Sequence, residues 1–268
     1  MKASDHIRQD SPLFQEAAAP HIAQYVRPGL LIKLSDPIPY QTAWALQQRL
    51  HAERLAGTSP DALLLLEHQP VYTMGRRTAS AHLGLGETVL RQNGATVETV
   101  NRGGSVTYHG PGQLLGYPIL QLSHYAQGPK AYVRLLEDVL IETLALWGIE
   151  GHRVDRNPGV WARSDQGDAK IASIGIRIDR GVTLHGFALN VDLDLAPFSH
   201  IMPCGLAGCT TTSLAELCHA SVPIALVAEQ IAEIFSGLFK ISWTHVSAER
   251  IDHELLDRCL TCLDMKEA

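Results

Sequence analysis

The chain has 268 residues, 46% hydrophobic and 19% charged, ordinary globular values that exclude a disordered chain, a collagen and a coiled coil. Twenty-two basic residues against 28 acidic ones give a net charge of −6, which argues against a nucleic-acid protein working through a broadly basic surface. The longest unbroken apolar runs, Ala62 to Leu66 among them, fall far short of the roughly 18 residues needed to span a bilayer.

Met1 to Pro20 is polar and lacks the apolar stretch of a secretory signal, so the chain is expected to stay in the cytoplasm. The five cysteines then read as free thiols in a reduced compartment.

Residues 1–28 read as an N-terminal extension of little periodicity, and 29–268 as one catalytic domain. Gly29 to Leu34 has the apolar content of a first strand, ended by Asp36-Pro37. Residues 39 to 56 carry Tyr40, Ala43, Trp44, Leu46, Leu50 and Leu55 at helical spacing, with Gly57 as the stop. Ala62 to Glu67 and Val97 to Val100 are short strand candidates. Lys130 to Trp147 is a helix with Tyr132, Leu136, Val139, Leu140, Thr143 and Trp147 on one face, ended by Gly148.

Gly159 to Ala162 and Lys170 to Ile178 follow as strands. The latter pairs with Gly181 to Asp192 through an Asp179-Arg180-Gly181 turn. A last long helix is expected from Val222 to Phe239, with Ser221 and Pro223 suited to its start. A helical tail is expected over 247 to 265. Strands and helices mix without strict alternation, which points to an α/β (α+β) chain with a mixed β-sheet packed by helices.

Three segments concentrate chemistry. Asn101 to Gln113 holds four glycines with Arg102, Thr107, His109 and Gln113 beside them. It is a glycine-rich turn between strands or a binding loop on a rigid scaffold. It is neither a phosphate loop nor a dinucleotide fingerprint. Lys170 opens an apolar strand face shared, by alternation, with Ala172, Ile174, Ile176 and Ile178. It is a snorkelling edge residue or a partly desolvated amine.

Cys204 sits in a turn between Pro203 and Gly205. It is an inert packing residue or a positioned thiolate. Cys259 and Cys262 form a lone CxxC near His253. A structural zinc site needs about four ligands, so no metal is expected there.

Together these motifs resemble the lipoyl(octanoyl) transferases. The resemblance rests on Arg102-Gly103-Gly104-x-x-Thr107-Tyr108-His109-x-x-Gly112-Gln113-x-x-x-Tyr117, on Lys170-Ile171-Ala172-Ser173-Ile174-Gly175, and on His185-Gly186-Phe187-Ala188-Leu189-Asn190-Val191. Asp194-Leu195-x-x-Phe198 and Ile201-x-Pro203-Cys204-Gly205 complete it. It implies the fold of the biotin and lipoate protein ligase catalytic domain.

It also implies octanoyl transfer from octanoyl-acyl carrier protein to a lysine of lipoyl domains. The acceptors would be 2-oxoacid dehydrogenase E2 subunits and the glycine-cleavage H protein, with neither nucleic acid nor membrane as a partner. The acyl-thioester nucleophile falls on Cys204 and its activating lysine on Lys170. The acyl pocket falls on Arg102, Gly103, Gly104, Ser105, Val106, Thr107, Tyr108 and His109, on Ser173, Ile174 and Gly175, and on His185, Gly186, Phe187 and Ala188. No cofactor is implied, because a thioester donor is already activated. A local positive patch for an acidic carrier would draw on Arg76, Arg77, Lys130 and Arg134. Rival readings are an ATP-dependent ligase on the same fold, a cysteine-dependent thioesterase and a non-catalytic binding protein that retains the fold.

Overall fold

The computed structural model describes residues 26–165, 167–203 and 208–246. Most of the N-terminal extension, Cys204, the expected helical tail and the Cys259/Cys262 pair lie outside the described residues.

In chain order the elements are β1 (Arg27–Lys33), α1 (Tyr40–Ala56), β2 (Asp61–Leu66), β3 (Val71–Met74), α2 (Glu87–Gln92), β4 (Thr96–Thr99), β5 (Val106–His109) and β6 (Gln113–Ile119). They continue as α3 (Pro129–Ala145), β7 (Gly151–Val154), β8 (Asn157–Ser164), β9 (Gly167–Asp179), β10 (Val182–Asn190), α4 (Leu214–Cys218), α5 (Ile224–Phe239) and β11 (Ile241–Val246). Eight strands form one mixed sheet in the order β11-β1-β2-β6-β10-β9-β8-β7, and β4-β3-β5 form a second, small sheet. β1 runs parallel to both its neighbours, while the strands from β2 onward alternate antiparallel.

Side-chain alternation on the central strands builds two cores. Leu63, Leu65, Leu114, Phe187 and Leu189 face α3 and α5. Leu64, Leu66, Leu115, Tyr117 and Ala188 face α1. This explains why β2 reads as a continuous apolar run, since it is buried on both faces. The small sheet closes a third cluster, in which Tyr72, Val97 and Tyr108 pack on Leu90 of α2 and on Phe198. Among the described residues no helix is long and apolar enough to cross a membrane.

One sequence expectation shifts. Ser221 does not start the last helix. Pro223 takes the cap position, and the Ser221 hydroxyl instead donates to Asp192 at 2.5 Å. The Arg180-Gly181 turn is as expected: φ is 49° and 84°, positive at both central residues as a type I′ hairpin requires.

Gly112 has a structural duty. Its φ is 88°, and a Cβ there would lie 2.1 Å from the Asp192 carbonyl oxygen. The Gly112 carbonyl accepts from Val191 N–H at 3.1 Å and Asp192 N–H at 2.9 Å, locking the end of β10 to the start of β6. Gly112→Ala combines left-handed backbone strain with a clash against main chain. It is expected to cost about 3–5 kcal/mol, roughly a 10 °C fall in Tm for a domain of this size. Thermal unfolding checks it, and a Tm within about 3 °C of the parent would show that the loop yields.

Candidate functional site

The motif residues converge on one buried slot of about 50 Å³ between the glycine-rich segment and strands β9 and β10. Of the fifteen residues that the family resemblance places in the acyl pocket, thirteen line it. Gly103 and Tyr108 do not. Gly103 faces a separate groove with Arg76 and Arg177. Tyr108 points the other way, into the cluster beneath the small sheet. Alternation along β5 explains this, since Thr107 and His109 face the slot while Tyr108 faces away.

Tyr40, Leu115 and Tyr117 also line the slot. The sequence marks Tyr40 only as a helix-face residue and Tyr117 only as a motif position, and it assigns Leu115 no pocket role.

The glycines serve a different end from simple clearance for a ligand. A Cβ at Gly186 would lie 2.1 Å from the Gly116 carbonyl, and one at Gly175 would lie 3.0 Å from Cδ of Arg102. Protein atoms occupy that space. The missing side chains let β10 close on β6 and let Arg102 pack under β9, and the bare backbone then forms the slot wall.

Arg102 organises the glycine-rich segment. It is 9% exposed, and its guanidinium donates to the carbonyls of Gly103, Ser105 and Thr73 and to Thr73 Oγ1, at 2.7–3.0 Å. From there a chain of buried hydrogen bonds crosses the protein. Thr73 Oγ1 lies 3.1 Å from His109 Nε2, His109 Nδ1 lies 2.6 Å from Gln113 Oε1, Gln113 Nε2 donates to Asn190 at 2.8 Å, and Asn190 Nδ2 donates to the Thr212 carbonyl at 2.9 Å.

Both ends fix the direction of that chain. A guanidinium only donates and a carbonyl only accepts, so each link passes its proton the same way. His109 is then the Nδ1–H tautomer, accepting from Thr73 at Nε2. Burial holds its pKa well below the usual histidine value, and His68, Arg102 and His185 push the same way. The imidazole stays neutral, which the Thr73 link requires.

The far end of the chain reaches Lys170. Lys170 N–H donates to the Thr210 carbonyl at 2.8 Å, and Thr212 N–H donates to the Lys170 carbonyl at 3.0 Å. Residues 210–212 thus pair with β9 at Lys170, and this is the stretch that follows Cys204 in the chain. The Lys170 ammonium donates to the Pro158 carbonyl at 2.9 Å and lies 5.4 Å from the Trp161 ring centroid.

Lys170 is 4% exposed, so it does not snorkel. Nor does it share a face with Ala172. The β8–β9 register slips between Val160 and Trp161, so that Ala172 pairs with Val160 but Lys170 with Trp161. Ile171 and Ala172 both enter the helix-facing core, while Lys170 pairs with Trp161 and sits beside its ring. The β-bulge re-aims the lysine. Gly159 makes room for it: its φ is 122°, and a Cβ there would lie 2.9 Å from Lys170 Cε.

Two further histidines frame the slot. His68 was not singled out from sequence, although it directly follows an apolar strand and Glu67. Its Nδ1–H donates to the Ile38 carbonyl at 3.1 Å, and its Nε2 lies 2.7 Å from the Tyr117 hydroxyl. Burial lowers its pKa to about 4. His185 has a left-handed φ of 57° in mid-strand. Its ring stacks on Trp44 with centroids 5.0 Å apart and planes 7° apart. Burial, aided by Arg102 and Arg177, lowers its pKa to about 3. Among the described residues no cluster of His, Cys, Asp or Glu could hold a metal ion.

The model of the lipoyl protein ligase A/B catalytic domain family matches residues 39–236. The octanoyltransferase of Syntrophotalea carbinolica is 47% identical over 209 residues, covering 78% of this chain and 94% of that one. That of Gloeobacter violaceus is 45% identical over 217 residues, covering 81% and 90%. Among solved structures, a bi-partite lipoate protein ligase from Thermoplasma acidophilum superposes with a TM-score of 0.69 at 17% identity, covering 90% of this chain and 93% of that one. Lipoate-protein ligase A bound with ATP superposes with a TM-score of 0.70 at 16% identity, covering 89% and 95%. At these identities the structural likeness is one of fold, a mixed sheet packed by helices.

Proposed function

The chain belongs to the lipoyl protein ligase A/B catalytic-domain family, and from that membership we propose how it works as an acyltransferase of protein lipoylation. It takes an octanoyl group from octanoyl-acyl carrier protein and passes it to a lysine of a lipoyl domain, on an E2 subunit or a glycine-cleavage H protein, in the cytoplasm. Residues 29–268 act as one catalytic domain. The observation that carries this reading is the slot: residues from three separate motifs line one buried cavity, and its floor strand leads to the buried Lys170.

The chemistry runs in two steps. The Lys170 ammonium holds Cys204 as a thiolate, which attacks the carrier's thioester carbonyl. A bond forms from Cys204 Sγ to the acyl carbon, the bond to the pantetheine sulfur breaks, and the Lys170 proton leaves with that thiol. Acylation removes the negative charge that drew a proton to Lys170. The neutral amine then accepts a proton from the acceptor lysine as its nitrogen attacks, the amide forms, and Cys204 leaves as the thiolate beside the restored ammonium. The slot holds the seven-carbon tail, and its burial supplies about 0.8 kcal/mol per CH2, roughly 5 kcal/mol in all.

Intact-protein mass spectrometry after mixing with octanoyl-acyl carrier protein, without ATP or acceptor, tests this. A hydroxylamine-labile adduct of one octanoyl group, absent in Cys204→Ser, is the expected result. Transfer without an adduct would mean direct attack by the acceptor lysine. Acyl-adenylate made from free acid and ATP would replace the reading with the ligase one. Hydrolysis in place of transfer to an apo lipoyl domain would make the chain a thioesterase.

A further inference from the structure

We propose that His185, backed by Trp44, is the end wall of the acyl slot and sets the length of chain that fits. This rests on the octanoyl-transfer reading and deepens it.

The strand register gives the slot a direction. Ser173 pairs with Ala188, Ile174 with Phe187, Gly175 with Gly186 and Ile176 with His185. Lys170 lies before this run on β9, and His185 stands opposite its far end. A carbonyl held at Lys170 therefore sends its tail toward His185. From Ser173 to Ile176 the strand advances about 10 Å, comparable to an extended eight-carbon chain.

What stands at that end is built to stay put. His185 N–H donates to Gln47 Oε1 at 2.9 Å, and His185 Nε2 lies 2.7 Å from Asn101 Oδ1. With the Trp44 stack, the ring is held by its backbone, its edge and its face. Holding a non-glycine residue at a φ of 57° costs free energy that surrounding contacts must offset, and such strain gathers at functional positions. The ring is neutral at physiological pH, since its pKa is depressed to about 3, so an apolar chain end can rest against it.

Beyond the ring there is open room. His185 and Tyr40 line both the slot and an outer groove of about 710 Å³. The wall is thus a partition one or two side chains thick. Removing the imidazole joins the two spaces.

The test compares transfer of hexanoyl, octanoyl, decanoyl and dodecanoyl groups from acyl carrier protein to an apo lipoyl domain. Glycine accepts a φ of 57° without strain, so His185→Gly removes the ring and leaves the backbone as it is. The ratio of kcat/KM for dodecanoyl over octanoyl is expected to rise at least tenfold. Trp44→Ala, which removes only the backing plate, is expected to move the ratio the same way by less, and it serves if His185→Gly does not fold. A residue that merely supports the fold would depress all lengths alike, so an unchanged ratio in a folded variant overturns the proposal. A wild-type protein that transfers none of the four would overturn the octanoyl-transfer reading itself, a result distinct from an unchanged ratio.

Discussion

Lowering the pH from 7 toward 4 is expected to unfold the protein. His68, His109 and His185 are all buried, and burial depresses all three pKa values: to about 4 in His68, to about 3 in His185, and well below 6.5 in His109. In the unfolded chain each returns to about 6.5. Between those values the unfolded state binds more protons than the folded one, so stability rises with pH across the window and is lost as pH falls below about 6.5. Each histidine loses at most ~1.4 kcal/mol per unit, so together they lose about 4 kcal/mol per unit. At that limiting slope about 5 kcal/mol is exhausted roughly one unit below 6.5 and about 10 kcal/mol roughly two and a half units below it.

Thermal melts from pH 8 to 4 check this, and a Tm that stays flat from 7 to 5 would show that the three rings accept protons in place. His68→Gln can still donate to Ile38 and accept from Tyr117, but it cannot titrate. It is expected to make the decline shallower.

Lys170→Met is expected to lower the rate of octanoyl transfer by about 10²–10⁴, the range for loss of a positioned proton-transfer group. Methionine keeps an unbranched apolar stem against Trp161 and removes only the ammonium. The hydrogen bond to the Pro158 carbonyl is lost, at about 1–3 kcal/mol, so Tm falls by a few degrees and the fold remains.

A second readout separates mechanism from packing. The alkylation rate of Cys204, followed by peptide mass because other thiols are present, is expected to rise only at higher pH in the variant. Transfer at the parental rate, or an alkylation profile superposable on the parent, would remove Lys170 from the chemistry.

Local elements were legible where side-chain periodicity and end signals agreed. α1 runs from Tyr40 to the left-handed Gly57 cap, and β9 and β10 join at the expected turn. Elements whose stability comes from distant partners were not. β7 and β11 are edge strands with few buried residues, and α2 is six residues long with a single buried apolar residue, Leu90.

At the site, the motifs named the residues that meet, but single-sequence alternation misplaced Lys170 because a bulge resets the period. The His185 backbone angle had no signal, since a positive φ is uncommon for any non-glycine residue and nothing in the sequence marks this one. The relay from Arg102 to Thr212 joins residues up to 77 positions apart by a single hydrogen bond, Gln113 to Asn190, and only the folded sheet aligns its donors.

The pairing of β1 with β11 has a bearing on synthesis. β1 meets β2 early, but the partner for its other edge, starting at Arg27↔Ile241, lies more than two hundred residues downstream. At ~5–20 residues per second a ribosome needs roughly 10 to 40 s to deliver it. Throughout that interval the nascent sheet presents an open, parallel-competent edge of Leu30, Leu31 and Ile32, the kind of edge that templates pairing with another chain. A message cut short before residue 241 would leave that edge uncapped for good.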